Sequence, residues 1–140
     1  MQSTKIKKAT FKHIESELYN YGDTKKEIGR LRNEIMFSGS NQDENIGSNR
    51  SAEPGRPTER IATRLLTHKT LRNLEEISEA IEYVYAYLPD DHKKVIKTKY
   101  WLRQRLTWDD VAIRLTMHRN TAMKLRREFI LLVADKIGWR

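Results

Sequence analysis

The 140-residue chain contains no cysteine, so disulfides and thiolate metal sites are excluded. Long apolar runs are also missing: none approaches the roughly 20 residues that a membrane-spanning helix needs. The basic segment Met1 to Thr10 is followed by no apolar stretch, so a secretory signal is not expected. These absences fit a soluble cytoplasmic protein. Strand signals are lacking as well, since nothing alternates apolar with polar and no hairpin turn is present. The expected fold class is therefore all-α.

Features of enzyme sites are scarce. The six glycines are isolated and form no phosphate-cradling loop. His13, His68, His92 and His118 are scattered without metal-ligand spacing. Asp90-Asp91 and Asp109-Asp110 stand at expected helix starts, where favourable interaction with the helix dipole accounts for them. Adjacent helical residues also point about 100° apart, a poor geometry for sharing one ion. The serines have no matching arrangement of histidine and acid. The reading is a protein that is not an enzyme and needs no cofactor. Trp101, Trp108 and Trp139 are read as core anchors, because an indole buries a large area.

What the chain does have is positive charge, with a formal net charge of +8. It is unevenly distributed. Residues 88–140 hold 13 Lys and Arg against 6 Asp and Glu, whereas the first 87 residues hold 14 against 13. A polyanionic partner, nucleic acid before a membrane surface, is thus met mainly by the last third.

Phe11, Ile14, Leu18 and Tyr21 recur at helical spacing and predict a helix over 10–21. Gly22-Asp23 interrupts the pattern. Asp23 or Thr24 is placed to cap a second helix carrying Ile28, Leu31, Ile35 and Met36, which gives a helical hairpin within residues 1–37. Residues 38–57 are rich in Ser, Asn, Gly and Pro and read as a flexible linker. Residues 58–140 then form a second part, expected to fold without the first. Thr58 is read as the cap of a long helix bearing Ile61, Leu65, Leu74, Ile77, Ile81, Val84 and Leu88. Its stripe must be covered by the C-terminal helices, by the hairpin or by a second copy of the chain, which makes a homo-oligomer an expectation. Leu88-Pro89-Asp90-Asp91 marks a boundary before a helix with Val95, Ile96 and Tyr100 on one face.

Residues 106–132 carry the functional pattern. Thr107 is placed to cap a short helix with Asp109 and Asp110 in its first turn. Val111, Ala112 and Leu115 face inward, and the small Ala112 allows close crossing by a second helix. Thr116-Met117-His118 is a short turn, with Met117 able to fill the gap between helices. Many such turns have glycine where Thr116 stands, and His118 is a weak cap. The second helix runs from about Arg119, with Ala122, Leu125 and Phe129 inward. Its outer face is Arg119, Asn120, Thr121, Met123, Lys124 and Arg127, and Arg126 joins Lys124 and Arg127 as an expected phosphate contact. No acid occurs from Val111 to Arg127. Arg and Lys suit guanine acceptors and phosphates, Asn suits adenine, and Thr and Met suit the thymine methyl. This is a helix-turn-helix expected to enter the major groove of double-stranded DNA.

Leu88-Pro89, Val95-Ile96, Tyr100, LTWDDVAIRL and MHRNTAMKLRR resemble the DNA-reading fourth region of bacterial sigma factors. With LYNYGDTKKEIGRLRNEIM at Leu18 to Met36, the whole chain resembles the RinA family of phage late transcriptional activators. The resemblance implies promoter binding and activation of late genes in the bacterial host cytoplasm, with host RNA polymerase as a further partner. Other readings are a phage packaging or replication protein that uses the same motif, and a helical adaptor for polymerase.

Overall fold

Apolar spacing of three and four residues and the near absence of helix breakers give helix after helix. In the computed structural model, which describes residues 5–44 and 57–140, side chains of 38–44 excepted, the described residues form six helices and no strand. They are α1 (Lys8–Tyr19), α2 (Tyr21–Glu44), α3 (Pro57–Tyr87), α4 (Asp90–Tyr100), α5 (Trp108–Leu115) and α6 (Arg119–Ile137). None of these helices is long and apolar enough to cross a membrane.

Several boundaries differ from the sequence reading. The break between α1 and α2 falls at Asn20, whose N–H reaches back to the Ser16 carbonyl at 3.0 Å. Gly22 and Asp23 therefore lie within the first turn of α2 instead of ahead of it. α2 continues through residues 38–44, the first part of the expected linker, and the rest of that segment (45–56) lies outside the described residues. α3 starts at Pro57, where proline's missing N–H is no loss, so Thr58 is inside the helix. Pro89 is the residue that flanks α4, not its first turn.

The compact units also fall differently from a division into residues 1–37 and 58–140. The described residues through Gly22 join Ile77–Arg140 in one unit, and Asp23–Glu76 form the other. Gly22 and Glu76 lie within α2 and α3, so the division cuts two helices rather than a linker.

The first unit has its core where four helices contribute one face each. Ile14 and Leu18 of α1 meet Ala80, Ile81 and Val84 of α3, Ile96 and Tyr100 of α4, and Phe129, Ile130, Val133 and Ala134 of α6. Each fully buried Ile, Leu, Val or Phe contributes about 1.5–3 kcal/mol relative to exposure. α1 is thus part of the C-terminal core. Polar contacts fix it there: Trp101 Nε1 donates to the Leu18 carbonyl at 3.0 Å, and Thr10 Oγ1 donates to the Arg140 carbonyl at 2.5 Å. Trp101, Trp108 and Trp139 all pack against core clusters, as read from the sequence.

The second unit has Ile28 and Leu31 as its buried apolar residues, and an Arg32–Glu75 ion pair (Nε to Oε2 3.1 Å) ties α2 to α3. Only part of the expected α3 stripe is covered. Ile81, Val84 and Leu88 are buried, whereas Ile61 and Leu65 remain 57% and 64% exposed. In the N-terminal part of α3, the side facing the same way as Ile81 and Val84 carries Thr63 and Thr70 around Leu66, which is itself 65% exposed.

Candidate nucleic-acid interface

Thr107 opens α5 through a reciprocal cap. Its Oγ1 accepts from the Asp110 N–H at 3.2 Å, and Asp110 Oδ2 accepts from the Thr107 N–H at 3.4 Å. Such a box contributes about 1 kcal/mol. Val111 and Ala112 then turn inward, and Val111 joins Val95, Leu106 and Ala122 beneath the motif, with Leu115, Met117 and Leu125 packed against that cluster. Ala112 and Ala122 are both buried, which lets α5 and α6 approach closely. α4 packs on both helices and completes a three-helix unit.

The turn is three residues long, Thr116 to His118. Thr116 has φ 55° and ψ 50°, the left-handed conformation that favours glycine. Its N–H bonds the Ile113 carbonyl at 3.2 Å and the Met117 N–H bonds Ala112 at 3.0 Å, closing the end of α5. A β-branched residue is strained there, and these hydrogen bonds and the packing of the flanking Leu115 and Met117 hold it in place. His118 flanks α6 in extended backbone without a side-chain cap, and the first turn of α6 contains no acid. The positive end of that helix is therefore left open to an anion.

The outer residues of α6 take the positions the pattern implied. Arg119, Asn120, Thr121, Lys124 and Arg127 are exposed, and Met123 is half-buried beside them. Asn120, Lys124 and Arg127 follow at spacings of four and three, so they form one outward row. Arg119 is 56% exposed, and its Nε lies 3.5 Å from Asp109 Oδ1 across the turn. On α5, Ile113 and Arg114 are also exposed.

Arg126 does not join this row. Its side chain is only 12% exposed, and Nη1 donates to Glu15 Oε2 at 2.8 Å. The guanidinium lies 5.0 Å from the Phe11 ring centre and 4.7 Å from that of Trp108. Tyr100 Oη donates to the same Glu15 oxygen at 2.7 Å. Burial, reinforced by that carboxylate, pushes the Tyr100 hydroxyl pKa well above its usual range. The expectation that Arg126 touches phosphate thus gives way to an inward ion pair. A signal was available in the sequence: Arg126 follows Ala122 by four and precedes Phe129 by three, which puts it on the inner face.

Glu15 carries no local signal in the sequence, and Tyr100 and Trp108 are legible there only as packing residues, yet together the three fix α6 against α1 and α4. The two partners of Glu15 lie 85 and 111 positions away in the chain, beyond the reach of any local pattern. Glu128, the first acid after the basic stretch, is held by His92 Nε2 at 2.8 Å. Among the described residues, no cluster of three or more His, Asp or Glu is arranged to hold a metal ion.

A family model described as a protein of unknown function, DUF722, matches residues 10–135. The chain belongs to that family. It is also similar to the transcriptional activator rinA of Staphylococcus phage phi11, with 26% identity over 133 residues, 95% of this chain and 94% of the relative. The resemblance to the RinA family seen in the sequence accords with both findings. No solved structure matches the chain. The matched DUF722 span includes α4, α5 and nearly all of α1 and α6, so the residues that seat Arg126 and the helix-turn-helix lie within the family's shared region.

Proposed function

We propose that this DUF722 protein is a phage transcriptional activator that binds double-stranded DNA sequence-specifically, with α6 in the major groove. The observation that carries the reading is the outward row Asn120, Lys124 and Arg127. It sits on a helix entered from a three-residue turn and lies within a 17-residue stretch, Val111 to Arg127, that has no acid. Arg119 and Asn120, in the first turn, are assigned to base edges. Thr121 and Met123 are assigned to apolar contact with thymine methyls, and Lys124 and Arg127 to phosphates. Arg126 is assigned to positioning, since its charge is spent on Glu15.

Transcriptional activation, as opposed to DNA binding alone, is supported by the name of the phi11 relative, and late genes as its target by the resemblance stated above. It implies a second partner, the host RNA polymerase, and action in the bacterial cytoplasm. The test is selective retention of fragments from the genome that encodes the chain, at low and moderate salt. The reading expects one or a few fragments to be kept at moderate salt when bulk DNA is released, and transcription from a promoter on the retained fragment to rise with added protein. Equal retention of all fragments at both salts would contradict it.

A further inference from the structure

α3 is one continuous helix of 31 residues, and the side away from its buried row has an order of its own. Ile61 and Leu65 stand near one end, and Tyr83 and Tyr87 near the other. All four are exposed, by 57%, 64%, 57% and 75%, and Tyr83 remains so although Lys136 Nζ lies 4.1 Å from its ring centre. Between them the same side carries Lys69, Arg72, Glu76 and Glu79, each exposed. Steps of three and four residues join all eight, which keeps them on one side of an α-helix.

The order is symmetric about position 74. Ile61 and Tyr87 are each 13 residues from it, Leu65 and Tyr83 nine, Lys69 and Glu79 five, and Arg72 and Glu76 two. Turning the helix end for end about that position sets aliphatic side chains against tyrosines and every cation against an anion. A parallel pairing would instead set Lys69 on Lys69 and Glu79 on Glu79, which like charges oppose. Scattered exposed apolar residues need no explanation. Four of them in mirror register around complementary charges do, because that is the self-complementarity a two-fold interface requires.

We propose that two copies of this chain pair antiparallel along this side of α3. Ile61 and Leu65 pack on the partner's Tyr87 and the partner's Tyr83, and Lys69 and Arg72 pair with the partner's Glu79 and the partner's Glu76. The contact is about 39 Å long at 1.5 Å per residue. The dimer relates its two α6 helices by a two-fold axis, the symmetry of an inverted-repeat site. The inference does not depend on the DNA-binding reading, and its test contains no DNA.

Sedimentation equilibrium of the full chain over a wide concentration range is expected to show a monomer–dimer equilibrium. Arg72→Glu alone and Glu76→Arg alone should each weaken the dimer at least about tenfold. An equimolar mixture of the two should recover dimer, because each variant then meets its opposite charge. The absence of native cysteine allows a check of register. Leu65→Cys mixed with Tyr83→Cys should form disulfide-linked dimer faster than either variant by itself, with unchanged helical circular dichroism confirming that both are folded. A strictly monomeric chain would overturn the proposal. So would a dimer indifferent to both charge reversals, a mixture no stronger than its components, or cross-linking no faster in the mixture.

Discussion

Arg126 and Arg127 are neighbours on the same helix with the same side chain, and the fold uses them in opposite ways. Arg126 lies against two aromatic rings and a carboxylate, with its side chain only 12% exposed. Arg127 is exposed on the row with Asn120 and Lys124. The difference follows from about 100° of rotation per residue on a helix one face of which is covered by α1, α4 and α5. It separates two tasks within α6. The inner row of Ala122, Arg126 and Phe129 decides where the helix is held. The outer row offers hydrogen-bond donors and charge to whatever lies outside. A count of basic residues in this stretch, however large, does not distinguish the two.

The sharpest way to break this comparison is to remove α1, which supplies Glu15 and Phe11 to the inner row. Residues 58–140 alone lose the buried Ile14 and Leu18 and leave Arg126 without its carboxylate. Two buried aliphatic side chains represent about 3–6 kcal/mol, a large share of the roughly 5–15 kcal/mol that stabilises an ordinary domain. The truncated chain is expected to show a much lower urea midpoint than the full chain, or no cooperative transition at all. An unchanged midpoint would show that α1 is an accessory. A smaller effect is expected from Arg126→Ala in the full chain. It should cost about 2–3 kcal/mol by denaturation, as for a mostly buried charge-assisted pair broken from one side. Arg127→Ala should change stability by less than about 0.5 kcal/mol. Equal losses in the two variants would erase the distinction between the rows.

The turn that introduces α6 provides a smaller effect than Arg126, with the opposite sign. Thr116 occupies a left-handed conformation at φ 55°. Thr116→Gly relieves a strain of about 1–2 kcal/mol, part of which is offset by the greater freedom of glycine in the unfolded chain. A gain of up to about 1 kcal/mol in thermal or urea unfolding is expected. A loss of stability would mean that the threonine side chain makes a compensating contact at the end of α5.

Much of this architecture was legible in the sequence where the signal is local. Thr107 with Asp109 and Asp110 after it announces a helix start, the small Ala112 announces a close crossing, and the structure has both features. The three-residue turn and the outward positions of Asn120, Lys124 and Arg127 were legible for the same reason. What escaped was set by distant partners. Nothing local says that Ile14 and Leu18 belong with Phe129 and not with α2, so residues 1–37 read as a separate hairpin. Nothing local says that Glu15 waits for Arg126 across 111 positions. The start of the expected linker differs for another reason. Its composition suggested chain without structure from residue 38, but α2 carries on to Glu44. Composition is a poor guide to where a helix stops. The α3 stripe was half legible: its period is helical throughout, but the covered side and the exposed side exchange apolar residues along its length.

The central claim is that the outer row of α6 binds DNA while the inner row only holds it. The most direct test is a salt titration of equilibrium binding, using a genomic fragment selected by the protein and a scrambled fragment of the same length. Asn120→Ala should lose about 1–3 kcal/mol on the selected fragment and little on the scrambled one, as a lost base contact does. Arg127→Gln and Lys124→Gln should weaken both fragments alike and lower the slope of log K against log salt by about 0.9 each. If all three variants bind both fragments with the affinity and salt slope of the parent chain, the outer row of α6 does not meet DNA and the account fails.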